Sequence, residues 1–459
     1  MPFPRRRIRS ALGRASDRRV EGEPEGRPRS SEVVRGFRFG TGRERTRKVK
    51  AIECRASERD GTVQIRWDRS ERSSAEFPFV WLRDNCLCPS CFVPSAQARL
   101  VLMESLDPDV RPRSVHLDGE GERLEIAWED GHRSSYPAWW LEERDFAPES
   151  REARLRERTN DKEPWGREAR VPAYGYADVM ERDDVLERWL LDLDTLGVAL
   201  VVDAPRRTGE CAALAERIAF LTRTNYGREF TVRAKADPSN AAYTGAKLGL
   251  HLDLPYMSHM PGVQFLHCIA AAEEGGKSQL CDGFYVAETL KERDPDSYRI
   301  LTELPVDYLD VGSDHVPYHL VHRAPIIQSV SIPLSFSSRK EAALSTSPHR
   351  DRLDEKGKPY RMNYNDQVRD SCFNVPLESV KPLYVALKAF NTLAYDNCIG
   401  FYLKPGDVMT FDNRRVLHGR EAYEVKKSGE RHLEGGYVDW DYIYSRIRLL
   451  RTINFPLSS

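Results

Sequence analysis

In the stretch KLGLHLDLPY, Lys247 to Tyr256, His251 and Asp253 stand two apart within a run of leucines. In an extended strand, residues i and i+2 share a face, so an imidazole and a carboxylate would point the same way. That suits a polar surface pair and half of a metal chelate equally well, and a third donor has to decide between them. Among the downstream histidines, His418 lies in GDVMTFDNRRVLHGR, just after residues that read as paired strands. An H-x-D pair with a distant His makes a two-histidine, one-carboxylate facial triad, which leaves coordination positions open on an iron ion. Those positions suit a bidentate 2-oxo acid and dioxygen. The far carboxylate of such an acid calls for a guanidinium, because bidentate pairing is strong and directional. Arg431, in GERHLEGGY, follows His418 by 13 residues, a distance that suits the neighbouring strand.

A second donor set is Cys86, Cys88 and Cys91 in DNCLCPSC. Three thiolates at this spacing can share one ion, and tetrahedral zinc needs a fourth ligand. The flanking segment offers His116 and His132. His132, in the turn-like EDGHRS after LEIAW, is the expected partner. Four protein ligands leave no open position, so the expected role is a structural clip for a small domain. The plainer reading is reduced cysteines in a turn.

These donors need elements to carry them. A chain of 459 residues with 40% hydrophobic content can bury a large core in two or three domains. A net charge of −1 argues against electrostatic attraction to nucleic acid or to an anionic membrane surface. No run of roughly 18 apolar residues is present to span a bilayer. Residues 1–50 are basic, and MPFPRRRIRSALGRAS at their start is rich in arginine and serine with no acidic residue, either a disordered extension or a targeting segment; the expected compartment is the cytoplasm, with mitochondria as the alternative. TVQIRW, FPFVWLRDN and RLEIAWED read as strands of a small β-rich domain over 51–145. A charged linker, 146–175, follows and has the spacing of a connecting helix. Over 176–455, GVALVVD, PGVQFLHCIAA and SQLCDGFYV read as strands. TGECAALAERIAFLT and ESVKPLYVALKAFNTLAYD read as helices, the first with Thr208 as its N-cap. GFYLKPGDVMTFDN reads as two strands joined across a Pro-Gly-Asp turn. Strands without regular βαβ alternation predict a β-barrel or jelly roll decorated with helices. The Ser-rich stretch 329–352 reads as an insert without regular structure.

Taken together, FVWLRDNCLCPSC, HLDLPY, PGVQFLHCI, GGKSQLCDGF, GDVMTFDNRRVLHGR and RHLEGGYVDWDYIYSRIRLLR resemble the γ-butyrobetaine/trimethyllysine dioxygenase family, over about Val49 to Thr452. The resemblance implies a mainly β fold with helices: a double-stranded β-helix (jelly-roll) oxygenase domain after a small β-rich zinc-binding domain, in a homodimer. It implies Fe(II) on His251, Asp253 and His418, and zinc on Cys86, Cys88, Cys91 and His132. It implies 2-oxoglutarate on Arg431, with Ser278 as a second contact, and ascorbate as reductant. The implied reaction is 3-hydroxylation of γ-butyrobetaine to L-carnitine, with succinate and CO2 released. The alternatives are 3-hydroxylation of trimethyllysine and a catalytically silent zinc-containing binding protein. A quaternary ammonium donates no hydrogen bond, so aromatic faces must hold it. The family's cage positions fall on Tyr226, Phe230, Tyr243 and Tyr437. Phe230 departs from the usual Trp, and Arg414 stands where some relatives carry Trp. Asn240 and Asn365 match the positions that approach the substrate carboxylate.

Overall fold

The structure, a computed structural model, describes residues 49–68, 74–158, 161–234, 241–329, 358–424 and 431–454. The basic extension up to residue 48, nearly all of the 329–352 insert, and Asn240 lie outside them.

The N-terminal part repeats one pattern twice. Strands β1 (Ala51–Ser57), β2 (Thr62–Trp67) and β3 (Ser74–Pro78) form one antiparallel sheet. The short pair β4 (Phe92–Val93) and β5 (Ala98–Arg99) follows, then a second sheet of β6 (Pro112–Leu117), β7 (Arg123–Trp128) and β8 (Arg133–Pro137). In both sheets the third strand ends at a proline that begins a helix, Phe79–Asp84 or Ala138–Glu142. FPFVWLRDN is therefore not one strand. Pro78 has no N–H to extend a ladder, and its φ of −60° suits a helix N-terminus. Inward residues of both sheets, Val63, Ile65, Phe77, Leu124, Ile126 and Tyr136, share one core.

The helix Pro148–Arg158 leads on to Trp165, which is buried, donates from Nε1 to the Leu196 carbonyl, and donates its backbone N–H to Asp282. Residues 161–175 are thus built into the larger unit, and their last part is a strand, β9 (Ala173–Gly175). Beyond it come β10 (Val198–Val202), β11 (Glu229–Val232), β12 (Leu248–His251), β13 (Val263–Ala270) and β14 (Ser278–Asp282). A long hairpin, β15 (Pro305–Ser313) and β16 (Pro317–Pro325), is followed by the pair β17 (Ile327–Ser329) and β18 (Pro359–Met362). The chain closes with β19 (Ile399–Phe401), β20 (Val408–Asp412), β21 (Val416–Arg420) and β22 (His432–Val438).

Among the described residues these strands make two main sheets, β11-β22-β13-β20-β10-β9 and β12-β21-β14-β19. Together they form a jelly roll. The first is covered on its outer face by the helices Asp183–Thr195, Glu210–Glu216 and Trp440–Asn454, through Trp189, Leu193, Leu214, Phe265 and Ile443. The second is covered by Gly283–Arg293, Pro295–Glu303 and Leu377–Asp396, through Phe284, Leu290, Leu387 and Phe390. Two local expectations change. The helix after GVALVVD starts from Gly209 at φ 95°, a conformation glycine tolerates, rather than from Thr208, and ends at Glu216. GFYLKPGDVMTFDN is not a hairpin: β19 pairs with β14 and β20 with β13 and β10, so the turn at Gly406 carries the chain between sheets.

Candidate active site

The two sheets enclose a cavity of about 290 Å³. At one wall β12 pairs with β21 so that His251, the last residue of its strand, stands opposite His418. Their ring centroids are 4.1 Å apart. Asp253 lies beyond the strand, not on it. Its Oδ1 is 3.2 Å from His251 Nε2 and 3.8 Å from His418 Nε2. The loop that brings it there is clamped by Asn413, whose Oδ1 accepts from the Asp253 N–H at 2.8 Å and whose Nδ2 donates to the Asp253 carbonyl at 2.9 Å. Next to it Leu254 adopts φ 57°, an uncommon conformation for leucine held by its surroundings.

The donor set fits a metal cation. His251 Nδ1 is 2.8 Å from the Gly249 carbonyl, so both ring nitrogens of His251 face acceptors. A second proton satisfies that arrangement, and so does a cation between Nε2 and the carboxylate. Burial and the neighbouring His251 push His418 down to about 3, which keeps its imidazole in the neutral, ligating form. Burial acts to raise Asp253, but His251, His418 and the Tyr437 hydroxyl outweigh it and hold the carboxyl below the ordinary range. The Tyr437 hydroxyl donates to the other carboxylate oxygen, Oδ2, at 2.7 Å. Arg431 reaches the same cavity. It is buried, and its Nη1 has no hydrogen-bond partner among the described residues. An unpaired buried guanidinium nitrogen is costly, and an anionic ligand would relieve that cost.

In the N-terminal domain, His132 Nε2 sits 3.2, 3.6 and 3.5 Å from the Sγ atoms of Cys86, Cys88 and Cys91. All four ligand atoms lie within 4.8 Å of one another, the edge lengths of a small tetrahedral site. His116 is exposed on β6 and takes no part. Burial raises Cys86 to about 11, whereas at Cys88 hydrogen bonds from Ser90 and the neighbouring thiols overcome burial and bring it down to about 7. The His132 turn is held by Asp130, which accepts the His132 N–H at 2.8 Å and pairs with Arg83 at 3.0 Å.

Comparison with known proteins shows which family the chain belongs to. Residues 155–437 match the family described as Taurine catabolism dioxygenase TauD, TfdA family, and residues 54–148 match Gamma-butyrobetaine hydroxylase-like, N-terminal. The chain is 38% identical to Gamma-butyrobetaine dioxygenase of Homo sapiens over 392 residues, covering 85% of this chain and 94% of the relative. It is 32% identical to that of Pseudomonas sp. (strain AK-1), with the same coverage. Trimethyllysine dioxygenase, mitochondrial, of Mus musculus is 28% identical, over 87% of this chain and 88% of the relative. The chain belongs to the γ-butyrobetaine dioxygenase family. It is an Fe(II)- and 2-oxoglutarate-dependent dioxygenase.

In this dioxygenase His251, Asp253, His418, Arg431, Ser278, Tyr226, Phe230, Tyr243, Asn365 and Tyr437 all line the one cavity. Asn240 is outside the described residues. Phe230 and Tyr437 lie 5.4 Å apart and Phe230 and Tyr226 6.3 Å apart, centroid to centroid. Asn365 already spends two of its groups on backbone: Nδ2 donates to Leu252 and Oδ1 accepts from Gln367. One Nδ2 hydrogen remains. Arg414 is not in the cavity wall; its guanidinium lies 5.9 Å over the Trp440 ring. Sequence reading missed Asn413, although it stands inside the quoted GDVMTFDNRR, because its task is to clamp backbone. It also missed Arg420, two residues beyond His418 on the same face, which burial and the neighbouring Arg431 push down to about 10. Strand alternation from His418 could have found it.

Proposed function

We propose that this dioxygenase hydroxylates γ-butyrobetaine at C3 to give L-carnitine, splitting 2-oxoglutarate to succinate and CO2. The observation that carries the reading is a cluster of aromatic rings, Tyr226, Phe230, Tyr243 and Tyr437, in the same cavity as the triad. Such rings hold a quaternary ammonium by cation–π attraction, worth about 0.5–2 kcal/mol for each contact. The greater identity to γ-butyrobetaine dioxygenases than to trimethyllysine dioxygenases favours the substrate that ends in a carboxylate alone.

In this reading His251, Asp253 and His418 hold Fe(II). Arg431 anchors the far carboxylate of 2-oxoglutarate, with Ser278 nearby on β14. Bound iron and 2-oxoglutarate supply the oxidising power that turns a C–H bond into C–OH, with dioxygen as oxidant and ascorbate maintaining the ferrous state. The chain's own part is positional. The aromatic rings and the remaining N–H of Asn365, together with Asn240, hold the two substrate ends so that C3 faces the metal. Tyr437 serves both ends of the task, as a cage wall and as the hydrogen-bond donor that orients Asp253. Cys86, Cys88, Cys91 and His132 hold a structural zinc.

Purified protein supplied with Fe(II), ascorbate and 2-oxoglutarate should convert γ-butyrobetaine to a product heavier by one oxygen, read by mass spectrometry. Conversion of trimethyllysine with γ-butyrobetaine left untouched would give the site to the other substrate.

A further inference from the structure

The charged groups of the cavity are unevenly placed, and one of them is absent from the roles above. Asp310, on β15, lines the cavity and is half-buried. No lysine or arginine lies within ion-pair distance of it among the described residues, so its charge is left for the cavity. Its near partners are phenols. The Tyr226 hydroxyl donates to Asp310 Oδ2 at 3.3 Å and stands 3.1 Å from the Tyr256 hydroxyl. Tyr256 is itself buried and lines the cavity. Burial pushes the Asp310 carboxyl up, and hydrogen bonds from Tyr256 and Tyr226 oppose that push. The cationic residues of the cavity, Arg420 and Arg431, are buried beside each other on β21 and just before β22.

We infer that Asp310 is a specificity-determining residue that selects a cationic headgroup over a neutral one of the same shape. The inference rests on the substrate class proposed above. Two effects act together. An unpaired carboxylate behind the ring cluster attracts a quaternary ammonium across a short, low-dielectric path. A phenol that donates its proton to a carboxylate also carries more electron density in its ring, which strengthens the ring's hold on a cation. Neither effect acts on a neutral tert-butyl group. Asp310 thus works through Tyr226 and Tyr256 as a positioning residue. Phe230 is a phenyl ring, a poorer cation partner than an indole, which leaves more of the selection to this carboxylate.

The test compares γ-butyrobetaine with its neutral carbon isostere, 5,5-dimethylhexanoate, in the unaltered enzyme and in Asp310→Asn and Asp310→Glu. The KM for γ-butyrobetaine should rise about five- to tenfold in Asp310→Asn. The inhibition constant of the neutral isostere should stay within about twofold, and Asp310→Glu should recover most of the loss. The KM for 2-oxoglutarate, read in the same assays, reports whether each variant is folded at the metal. An equal loss for both ligands, or no loss for the cation, overturns the role of Asp310. A misfolded Asp310→Asn leaves the decision to Asp310→Glu, where failure to discriminate cation from isostere overturns it as well. If the unaltered enzyme does not act on γ-butyrobetaine, the proposed function fails first, and this inference with it.

Discussion

At the scale of single residues, the proposed iron site rests on groups outside its three donors. The Tyr437 hydroxyl fixes the Asp253 side chain, and the Asn413 amide fixes its backbone. Outer partners of this kind tune metal affinity by about 10–100-fold when removed. Tyr437→Phe keeps the ring and deletes only the hydroxyl. It should weaken Fe(II) affinity by about tenfold while leaving the fold intact, as read by metal titration and a thermal melt. An unchanged affinity would show that the Tyr437–Asp253 hydrogen bond has no bearing on the metal. Donor types and spacing made His251, Asp253, His418 and Arg431 legible in the chain. Tyr437 was legible only as an aromatic face, since its hydroxyl contact depends on where β22 lies relative to the loop after β12. Asp310 was not legible at all: an aspartate within YLDVGS, a strand-like stretch, reads as an outward-facing charge.

At the scale of elements, two rings of the cluster, Phe230 and Tyr437, stand on the neighbouring strands β11 and β22, where Phe230 lies opposite Gly435. A Cβ on Gly435 would meet Phe230 Cζ at 2.3 Å, closer than atoms can approach. The glycine is there to give the phenyl ring its seat. Gly435→Ala should displace Phe230, raise the KM for γ-butyrobetaine severalfold and cost about 1–3 kcal/mol of stability. Kinetics and denaturant melts would check this, and a normal KM would mean that Phe230 is no part of the cage. The hydrophobic alternation that marks strands was plain in TVQIRW, RLEIAW and PGVQFLHCI. What alternation does not carry is partnership. β19 and β20 are close in sequence yet sit in different sheets, and FPFVWLRDN changes from strand to helix at a proline inside an unbroken apolar run.

At the scale of the whole molecule, the two proposed metal sites would serve different ends. The Cys86, Cys88, Cys91 and His132 set joins a segment after the first N-terminal sheet to the turn between β7 and β8 of the second. A zinc held there would bind the two sheets into one domain. Cys91→Ser should release about one zinc per chain and lower the melting temperature of the N-terminal domain by several degrees. Colorimetric zinc release and calorimetry would read both, and a zinc-free protein with unaltered melting would overturn the clip. Among the described residues no helix is long and apolar enough to cross a membrane. The central claim for the larger domain is that one cavity brings the His251–Asp253–His418 metal to C3 of γ-butyrobetaine. The most direct test is quantitative product analysis by NMR, with succinate and hydroxylated product counted in the unaltered enzyme and in His418→Ala. The account predicts L-carnitine, hydroxylated at C3, in step with succinate in the first and neither product in the second. Hydroxylation at another carbon, or product from His418→Ala, would contradict it.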